Sequence, residues 1–192
     1  MSTLPSAPGS RTTYHHGDLR VALLEVGERL LDEGGPDAVS LREAARRLGV
    51  TATATYRHFA DKESLLAALA VRGFDAFAAA LAQAAAAGGA VPLTGMGQAY
   101  VRFAVARPGR FRLMFGPAVA DRARHPELQA AIERASVGFR GSIAAPSAHE
   151  HGVAMLRAWS MIHGLSQLLI DGMLPGVDPE LLARAVTEAK SS

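Results

Sequence analysis

The sequence contains no cysteine among its 192 residues. This absence excludes disulfide bridges, thiolate zinc sites, iron–sulfur clusters and cysteine nucleophiles. Lysine is scarce too, because 18 of the 20 basic residues are arginines and only Lys62 and Lys190 are lysines. With abundant alanine and glycine, this bias is typical of a GC-rich genome. The net charge is only +2, so any basic surface that binds nucleic acid must be local.

Long hydrophobic runs are missing as well. The longest uncharged stretch, residues 76–101, is mostly alanine and is interrupted by Gly88, Gly89 and Pro92. A membrane-spanning helix needs about 20 strongly apolar residues, which this stretch does not provide. The polar segment 1–13 lacks the apolar region of a signal peptide, and its composition predicts a disordered arm. We therefore expect a cytoplasmic protein.

Period-two alternation of β-branched residues is also absent, so no sheet is expected. Apolar residues instead recur at helical spacing, as at Leu23, Val26 and Leu30, in a helix that Gly34 should end. The sequence predicts an all-α fold of about nine helices. After the first, they are expected at about 41–48, 51–59, 62–85, 94–106, 111–115, 126–142, 150–173 and 179–190.

The two short predicted helices on either side of Gly49 have the pattern of a helix–turn–helix. Ser40 and Glu43 have capping-box spacing, and Gly49 supplies a residue able to adopt positive φ at the turn. The second helix, 51–59, begins with small and hydroxyl residues, which fit inside the major groove of DNA. Residues 40–62 carry five basic and two acidic side chains, a local net charge of +3. A helical hairpin with a solvated arginine face is the alternative.

Four sequence blocks follow one another in this part of the chain: YHHGDLR from Tyr14, SLREAA from Ser40, GVT from Gly49 and YRHFADKE from Tyr56. In this order and spacing they resemble the TetR family of bacterial transcriptional regulators. The resemblance implies an all-helical homodimer with a helix–turn–helix domain, residues 14–66, and a ligand-binding and dimerisation domain, residues 67–192. Two residues depart from the family pattern: Gly27 stands where alanine is usual, and Thr55 where an apolar residue is usual.

The resemblance also implies which side chains contact double-stranded operator DNA. They are Arg42, Thr51, Thr53, Tyr56, Arg57, His58 and Lys62. The two threonines are expected to contact bases or backbone, and the other residues to contact phosphates. Phe59 is expected in the core. The N-terminal residues that could enter the minor groove are Arg11, Tyr14, His15, His16 and Arg20. A frayed terminus is the alternative.

Two blocks in the second half, RPGRFRLMF from Arg107 and WSMIHG from Trp159, resemble the WHG type of TetR ligand-binding domain. Trp159 and His163 lie one helical turn apart, and aromatic and methionine walls with a polar group suit a small-molecule pocket. Ordinary core packing is the alternative. The residues expected to line the pocket are Tyr100, Phe103, Phe111, Met114, Phe115, Met155, Trp159 and His163.

Other chemistries find less support in the sequence. His149 and His151 are two residues apart, a spacing that does not put both rings on one helix face, so no metal site is expected. No cofactor is expected, and the missing nucleophile elbow and Walker loop argue against an enzyme. Six arginines and one aspartate between residues 102 and 124 either attract an anionic or acyl-thioester ligand or form a solvated face.

The last two predicted helices, 150–173 and 179–190, carry more leucine than one small domain readily buries. This predicts a homodimer through a four-helix bundle. The combined expectation is a repressor that a small apolar or amphipathic effector of unknown identity releases from its operator. A DNA-binding dimer without a small-molecule effector is the alternative.

Overall fold

The computed structural model describes residues 16–87, 92–141 and 147–188, and every regular element in these ranges is helical. The all-α prediction is therefore confirmed. The predicted disordered arm, residues 1–13, lies outside the described residues, as do the candidate minor-groove residues Tyr14 and His15. The nine described α-helices are α1 (His16–Ala38), α2 (Leu41–Leu48), α3 (Ala52–Tyr56), α4 (Lys62–Ala86), α5 (Pro92–Ala106), α6 (Pro108–Phe115), α7 (Pro126–Gly141), α8 (Ala148–Ile170) and α9 (Pro179–Glu188).

The turn between α2 and α3 forms largely as its sequence suggests. Ser40 Oγ accepts the Glu43 amide at 3.0 Å, and Gly49 ends α2 in the left-handed conformation with φ 66°. The other half of the predicted capping box does not form. The Glu43 carboxylate instead accepts hydrogen bonds from Arg46 and Arg47, because charge-assisted bonds are stronger than one to a backbone amide.

Helix α3 ends at Tyr56, three residues before the predicted end. The amides of His58 and Phe59 both donate to the Thr55 carbonyl, at 3.0 and 3.1 Å, and this turn directs the Phe59 ring into the core. Thr55 is fully buried, but its hydroxyl donates to the Ala52 carbonyl at 2.7 Å. The polar residue is thus tolerated at a core position because its hydrogen bond is satisfied locally.

The first helix bends where the sequence predicts an end. Gly34 and Gly35 leave helical geometry, and Gly35 has φ 70°, before a last turn runs to Ala38. Further back, a Cβ on Gly27 would lie 2.8 Å from Leu69 Cδ1 in α4. The glycine that departs from the family pattern therefore allows α1 and α4 to pack closely.

The long helix α4 belongs to both halves of the chain. Asp61 and Ser64 form a capping box at its start, and its 25 residues span about 37 Å. Leu65 and Leu69 pack in the core beside α1, whereas Phe77 and Leu81 are buried farther along, where α4 packs against α5 and α7. The helix therefore connects the helix–turn–helix with the C-terminal half.

Helix α6 packs directly on α1. It begins at Pro108, three residues before the predicted start, because proline suits the first turn of a helix. Gly109 lies so close to α1 that an added Cβ would be 2.0 Å from the Leu31 carbonyl oxygen. Arg107 pairs with Asp32 at 3.7 Å beside this contact. The two halves thus meet at α1–α6 as well as along α4.

Candidate nucleic-acid interface and ligand cavity

The front of α3 presents exposed hydroxyl groups. Thr51 and Thr53 are exposed, and Thr51 Oγ1 accepts the Ala54 amide at 3.3 Å, which caps the helix. Tyr56, at the other end of α3, is 47% exposed, and Arg57 beside it is exposed. These side chains form one accessible surface that a DNA backbone or base edge can reach.

Ion pairs redistribute the local positive charge. Arg46 and Arg47 both bind Glu43, and Arg47 also binds Glu33 at 2.6 Å. The two guanidinium groups lower the pKa of Glu43 to about 2, so this carboxylate stays ionised. Arg42 forms no ion pair with any described residue. Arg42, which is predicted to contact phosphate, therefore keeps a charge that no described carboxylate neutralises.

Two predicted contacts are partly engaged within the domain. His58 is half-buried, and Lys62 Nζ lies 3.4 Å from the Asp37 carbonyl oxygen, although Lys62 remains exposed. Arg20 donates to the His58 carbonyl at 3.3 Å and stacks over the Phe59 ring at 4.6 Å. Arg20 thus braces the end of α3 rather than projecting from the arm.

An apolar cavity of about 180 Å³ lies in the C-terminal half between α4, α5, α7, α8 and the end of α6. Four residues predicted for a pocket line it: Tyr100, Phe115, Met155 and Trp159. Two further rows of the wall were not predicted, from α4 (Phe74, Phe77 and Leu81) and from α7 (Ile132, Ala135, Ser136 and Phe139). Both rows repeat at helical spacing. This spacing indicates that the residues face inward, but it does not distinguish a cavity wall from ordinary core packing.

The other four predicted residues lie behind or beside the cavity. Phe111 and Met114 are fully buried, and Met114 packs where Gly73 leaves room for it. Phe103 packs edge-on against Phe77, with 5.2 Å between ring centroids. His163 lines, with Phe111, a second groove of about 420 Å³ near α1, and Phe115 lines both this groove and the cavity. The structure thus brings only half of the predicted set together around one cavity.

A hydrogen-bonded chain joins the cavity wall to the groove. Trp159 Nε1 donates to the Tyr100 hydroxyl at 3.2 Å, and that hydroxyl lies 2.9 Å from His163 Nδ1. Burial raises the pKa of Tyr100 and lowers the pKa of His163, so both side chains are neutral at physiological pH. A neutral imidazole accepts at one ring nitrogen, which lets the tyrosine donate to Nδ1.

Several arginines of the middle segment are paired with protein groups. Arg102 pairs with Glu180, and Arg112 pairs with Asp171. Arg122 donates to the backbone carbonyls of Met114 and Gly116, at the end of α6. None of these arginines lines the apolar cavity. Their arrangement therefore favours a paired surface over a site for an anionic ligand. Among the described residues, no group of three or more histidine, aspartate and glutamate side chains is placed to hold a metal ion.

Comparisons with known proteins place this geometry in a family. The family model described as "Bacterial regulatory proteins, tetR family" matches residues 23–69. That described as "Tetracyclin repressor-like, C-terminal domain" matches residues 93–189, slightly more than half of the chain. The chain belongs to the TetR family. Members of this family are transcriptional regulators rather than enzymes, and they bind operator DNA as dimers.

Individual relatives agree with this assignment. HTH-type transcriptional regulator Rv1816 of Mycobacterium tuberculosis is 29% identical over 132 residues, which cover 66% of this chain. The chain spans 56% of the length of that curated relative. A protein of unknown function from Rhodococcus sp. RHA1 has 30% identity and a TM-score of 0.80, over 93% of this chain and 96% of its own. The TetR regulator PfmR from Thermus thermophilus shares the fold, with 20% identity and a TM-score of 0.61, over 88% of this chain and 99% of its own.

Within the described ranges of this TetR protein, two helices are long and apolar enough to cross a membrane by length and composition. In α4, half of the apolar window is buried, as expected of a core helix. In α8, only 17% of the window is buried. The apolar side chains that α8 leaves exposed include Val153, Leu156, Met161 and Leu168. This helix presents an apolar face that the described chain does not cover.

Proposed function

We propose that this TetR protein is a cytoplasmic, ligand-responsive repressor. In this proposal residues 14–66 bind operator DNA, and residues 67–192 bind a small apolar or amphipathic effector and form the dimer. We call α3 the recognition helix, because it is the helix expected to enter the major groove. One observation carries the proposal: α4 begins just after this recognition helix, and its side chains Phe74, Phe77 and Leu81 line the cavity. A molecule in the cavity therefore touches the helix that supports the DNA-binding domain.

Release of DNA requires that the effector favour one arrangement of the two recognition helices over another. A tilt of α4 at its cavity end would change this arrangement, because the same helix continues into the DNA-binding half and would move the recognition helix. A hundredfold loss of operator affinity needs a coupling free energy of about 2.7 kcal/mol, within the usual range for allosteric proteins. The proposal thus demands no exceptional energy from a small ligand.

The C-terminal half is, in this proposal, of the WHG type. Trp159, His163 and Gly164 supply the three residues of that name in α8. The chain of hydrogen bonds from Trp159 through Tyr100 to His163 supports the assignment, because it ties α8 to α5 beside the cavity. Trp159 and His163 are one helical turn apart, and this spacing places both rings near Tyr100.

Dimerisation through α8 and α9 would cover their exposed apolar face. Leu156 is 56% exposed in α8, and Leu181 is 67% exposed in α9. Large contiguous apolar patches of this kind on a soluble protein mark interaction surfaces. A two-fold dimer of this kind would set the recognition helices about 34–36 Å apart, in successive major grooves of one DNA face.

The experiment that tests the DNA-binding part is selection of duplexes from a randomised pool, followed by titration at several salt concentrations. We expect near-palindromic sites and an affinity that falls steeply with salt, because basic side chains displace counterions. Arg42→Ala should weaken binding to every sequence, whereas Arg46→Ala is the matched control, since Arg46 is already paired with Glu43. Salt-independent binding would contradict the proposal.

Single substitutions separate base contacts from phosphate contacts. Tyr56→Phe and Lys62→Ala should weaken binding to all duplexes about equally, because phosphates carry no sequence information. A change of Thr53 should instead alter the preferred sequence. For the regulatory part, Trp159→Ala should leave operator binding intact but change release by an effector found by thermal-shift screening. A Trp159→Ala protein that binds and releases DNA like wild type would remove the cavity from the proposal.

A further inference from the structure

We propose that the effector cavity takes an uncharged, hydrocarbon-like aromatic molecule of about the size of a substituted benzene. This inference rests on the proposed function, because it names the ligand class of the same cavity. It narrows the apolar or amphipathic range of that proposal to molecules without a charged group. The charge, the hydrogen bonding and the size of the cavity each support this ligand class.

Among the residues that the structure describes, no charged side chain lines the cavity. The eleven lining residues are aromatic, aliphatic or small, and Ser136 is the only aliphatic alcohol among them. Transfer of an unpaired carboxylate or ammonium group into such surroundings costs several kcal/mol or more. The wall offers neither a cation for an anionic ligand nor a carboxylate for a cationic one.

The few polar side chains of the wall are already paired with protein groups. Ser136 Oγ donates to the Glu133 carbonyl at 2.9 Å, back along α7. Trp159 Nε1 donates to the Tyr100 hydroxyl, which in turn donates to His163 Nδ1. Donation in this direction pairs the phenolic proton, whereas the reverse would leave it unpaired among aromatic rings. The cavity surface that remains for a ligand is almost wholly apolar.

The size and shape of the cavity favour one aromatic ring with a short substituent. Its volume is about 180 Å³, and an apolar cavity of about 150 Å³ in another protein stays dry and binds benzene. Rings stand edge-on around it, as with Phe77 against Tyr100 at 4.9 Å and Phe74 against Phe115 at 5.5 Å. An aromatic guest can continue this edge-to-face packing.

The cavity also contains its own reporter, because Trp159 is the only tryptophan in the chain. Its side chain is 40% exposed, so a ligand that displaces water from the indole should shift the emission to shorter wavelength. The probes are four compounds with one scaffold: ethylbenzene, 4-ethylphenol, 4-ethylbenzoate and 4-ethylbenzylammonium. Titration of the full chain with each probe at neutral pH, excited where the probes are transparent, measures their affinities.

We expect ethylbenzene to bind, 4-ethylphenol to bind equally or up to about tenfold more weakly, and both charged probes to bind at least about a hundredfold more weakly. A charged probe that binds within threefold of ethylbenzene would overturn the inference. So would tighter binding of the phenol than of ethylbenzene, or the absence of binding by any probe.

A matched pair of variants locates the bound probe. Ala135 is 6% exposed and lines the cavity, whereas Ala130 is exposed on the same helix. Ala135→Leu should weaken ethylbenzene binding at least tenfold by filling the cavity, and Ala130→Leu should leave it unchanged. Equal affinity in the two variants, with helical content retained by circular dichroism, would place the probe elsewhere and refute the inference. If Ala135→Leu does not fold, the affinity order of the four probes in the wild-type chain still decides.

Operator release, measured in parallel on a selected duplex, separates this inference from the proposed function. Ethylbenzene that binds with the expected affinity order but leaves operator binding unchanged would support the ligand class and count against ligand-responsive repression. A charged probe that releases the operator and is blocked by Ala135→Leu would support ligand-responsive repression and overturn the ligand class.

Discussion

The contact between α6 and α1 makes a specific prediction for the substitution Gly109→Ala. An ideal Cβ on Gly109 lies 2.0 Å from the Leu31 carbonyl oxygen and 3.2 Å from Gly35 Cα. Because both neighbours are backbone atoms, no side chain can rotate away to relieve the overlap. The two helices must separate by about 1 Å before the closest contact reaches the 3.0 Å below which real Cβ contacts essentially never occur.

Overpacking of this kind costs about 1–3 kcal/mol. Alanine in place of a helical glycine recovers about 0.5–1 kcal/mol by restricting the unfolded chain. We therefore expect Gly109→Ala to lower the free energy of unfolding by about 1–2 kcal/mol, which is a shift of roughly 1 M in the urea midpoint. The separation of α6 from α1 should also change operator affinity, because α1 belongs to the DNA-binding half.

Gly138→Ala is the matched control for this experiment. Gly138 also lies in a helix, but a Cβ there meets nothing within 4 Å. The same chemical change should therefore stabilise the protein by about 0.5–1 kcal/mol. Urea unfolding of the two variants at one protein concentration gives the comparison. Equal midpoints for Gly109→Ala and Gly138→Ala would refute the close approach of α6 to α1.

Three further predictions concern charge and assembly. Glu28→Gln should lower the free energy of unfolding by about 1–3 kcal/mol, measured by urea unfolding. The reason is that Arg110 is 7% exposed and its guanidinium lies 3.4 Å from the Glu28 carboxylate, which the substitution would replace with an uncharged amide. Because the pKa of Glu43 is lowered in the folded protein, its contribution to stability is complete above pH 4.5 and is lost as the pH falls towards 2. In Glu43→Gln, the urea midpoint should therefore depend less on pH over this interval than it does in the wild type. Leu168→Asp should give monomers in analytical ultracentrifugation, whereas Val137→Asp on α7, also exposed, should leave dimers intact.

The helix–turn–helix could be predicted closely because its determinants are local in the sequence. A serine cap and a glycine with positive φ each act within one turn of the chain, and both are found where the sequence indicates. Exposure of Thr53 and Tyr56 follows from the helical period once the buried face is known. The predicted end of α3 was wrong because Phe59 is drawn into the core, and that contact depends on helices distant in the chain.

The cavity could be predicted only in part because it is a property of packing between helices. Phe74, Phe77 and Leu81 have the spacing of any core-facing row, and nothing in that spacing shows that α4 and α7 leave space between them. Trp159 and His163 also share one helix face, yet the structure puts the indole at the cavity and the imidazole at the groove.

The Tyr100 side chain explains why two residues one turn apart serve different spaces. Tyr100 lines the cavity but not the groove, and its hydroxyl is hydrogen-bonded to the indole of Trp159 and to the imidazole of His163. Because Tyr100 comes from α5, residues on α8 alone could not reveal this partition. A ligand that moves Tyr100 must also disturb its bond to His163, whose groove includes Pro36 and Asp37 at the end of α1. In the proposed mechanism, Tyr100 would therefore give an apolar ligand a second route, besides α4, to the DNA-binding half.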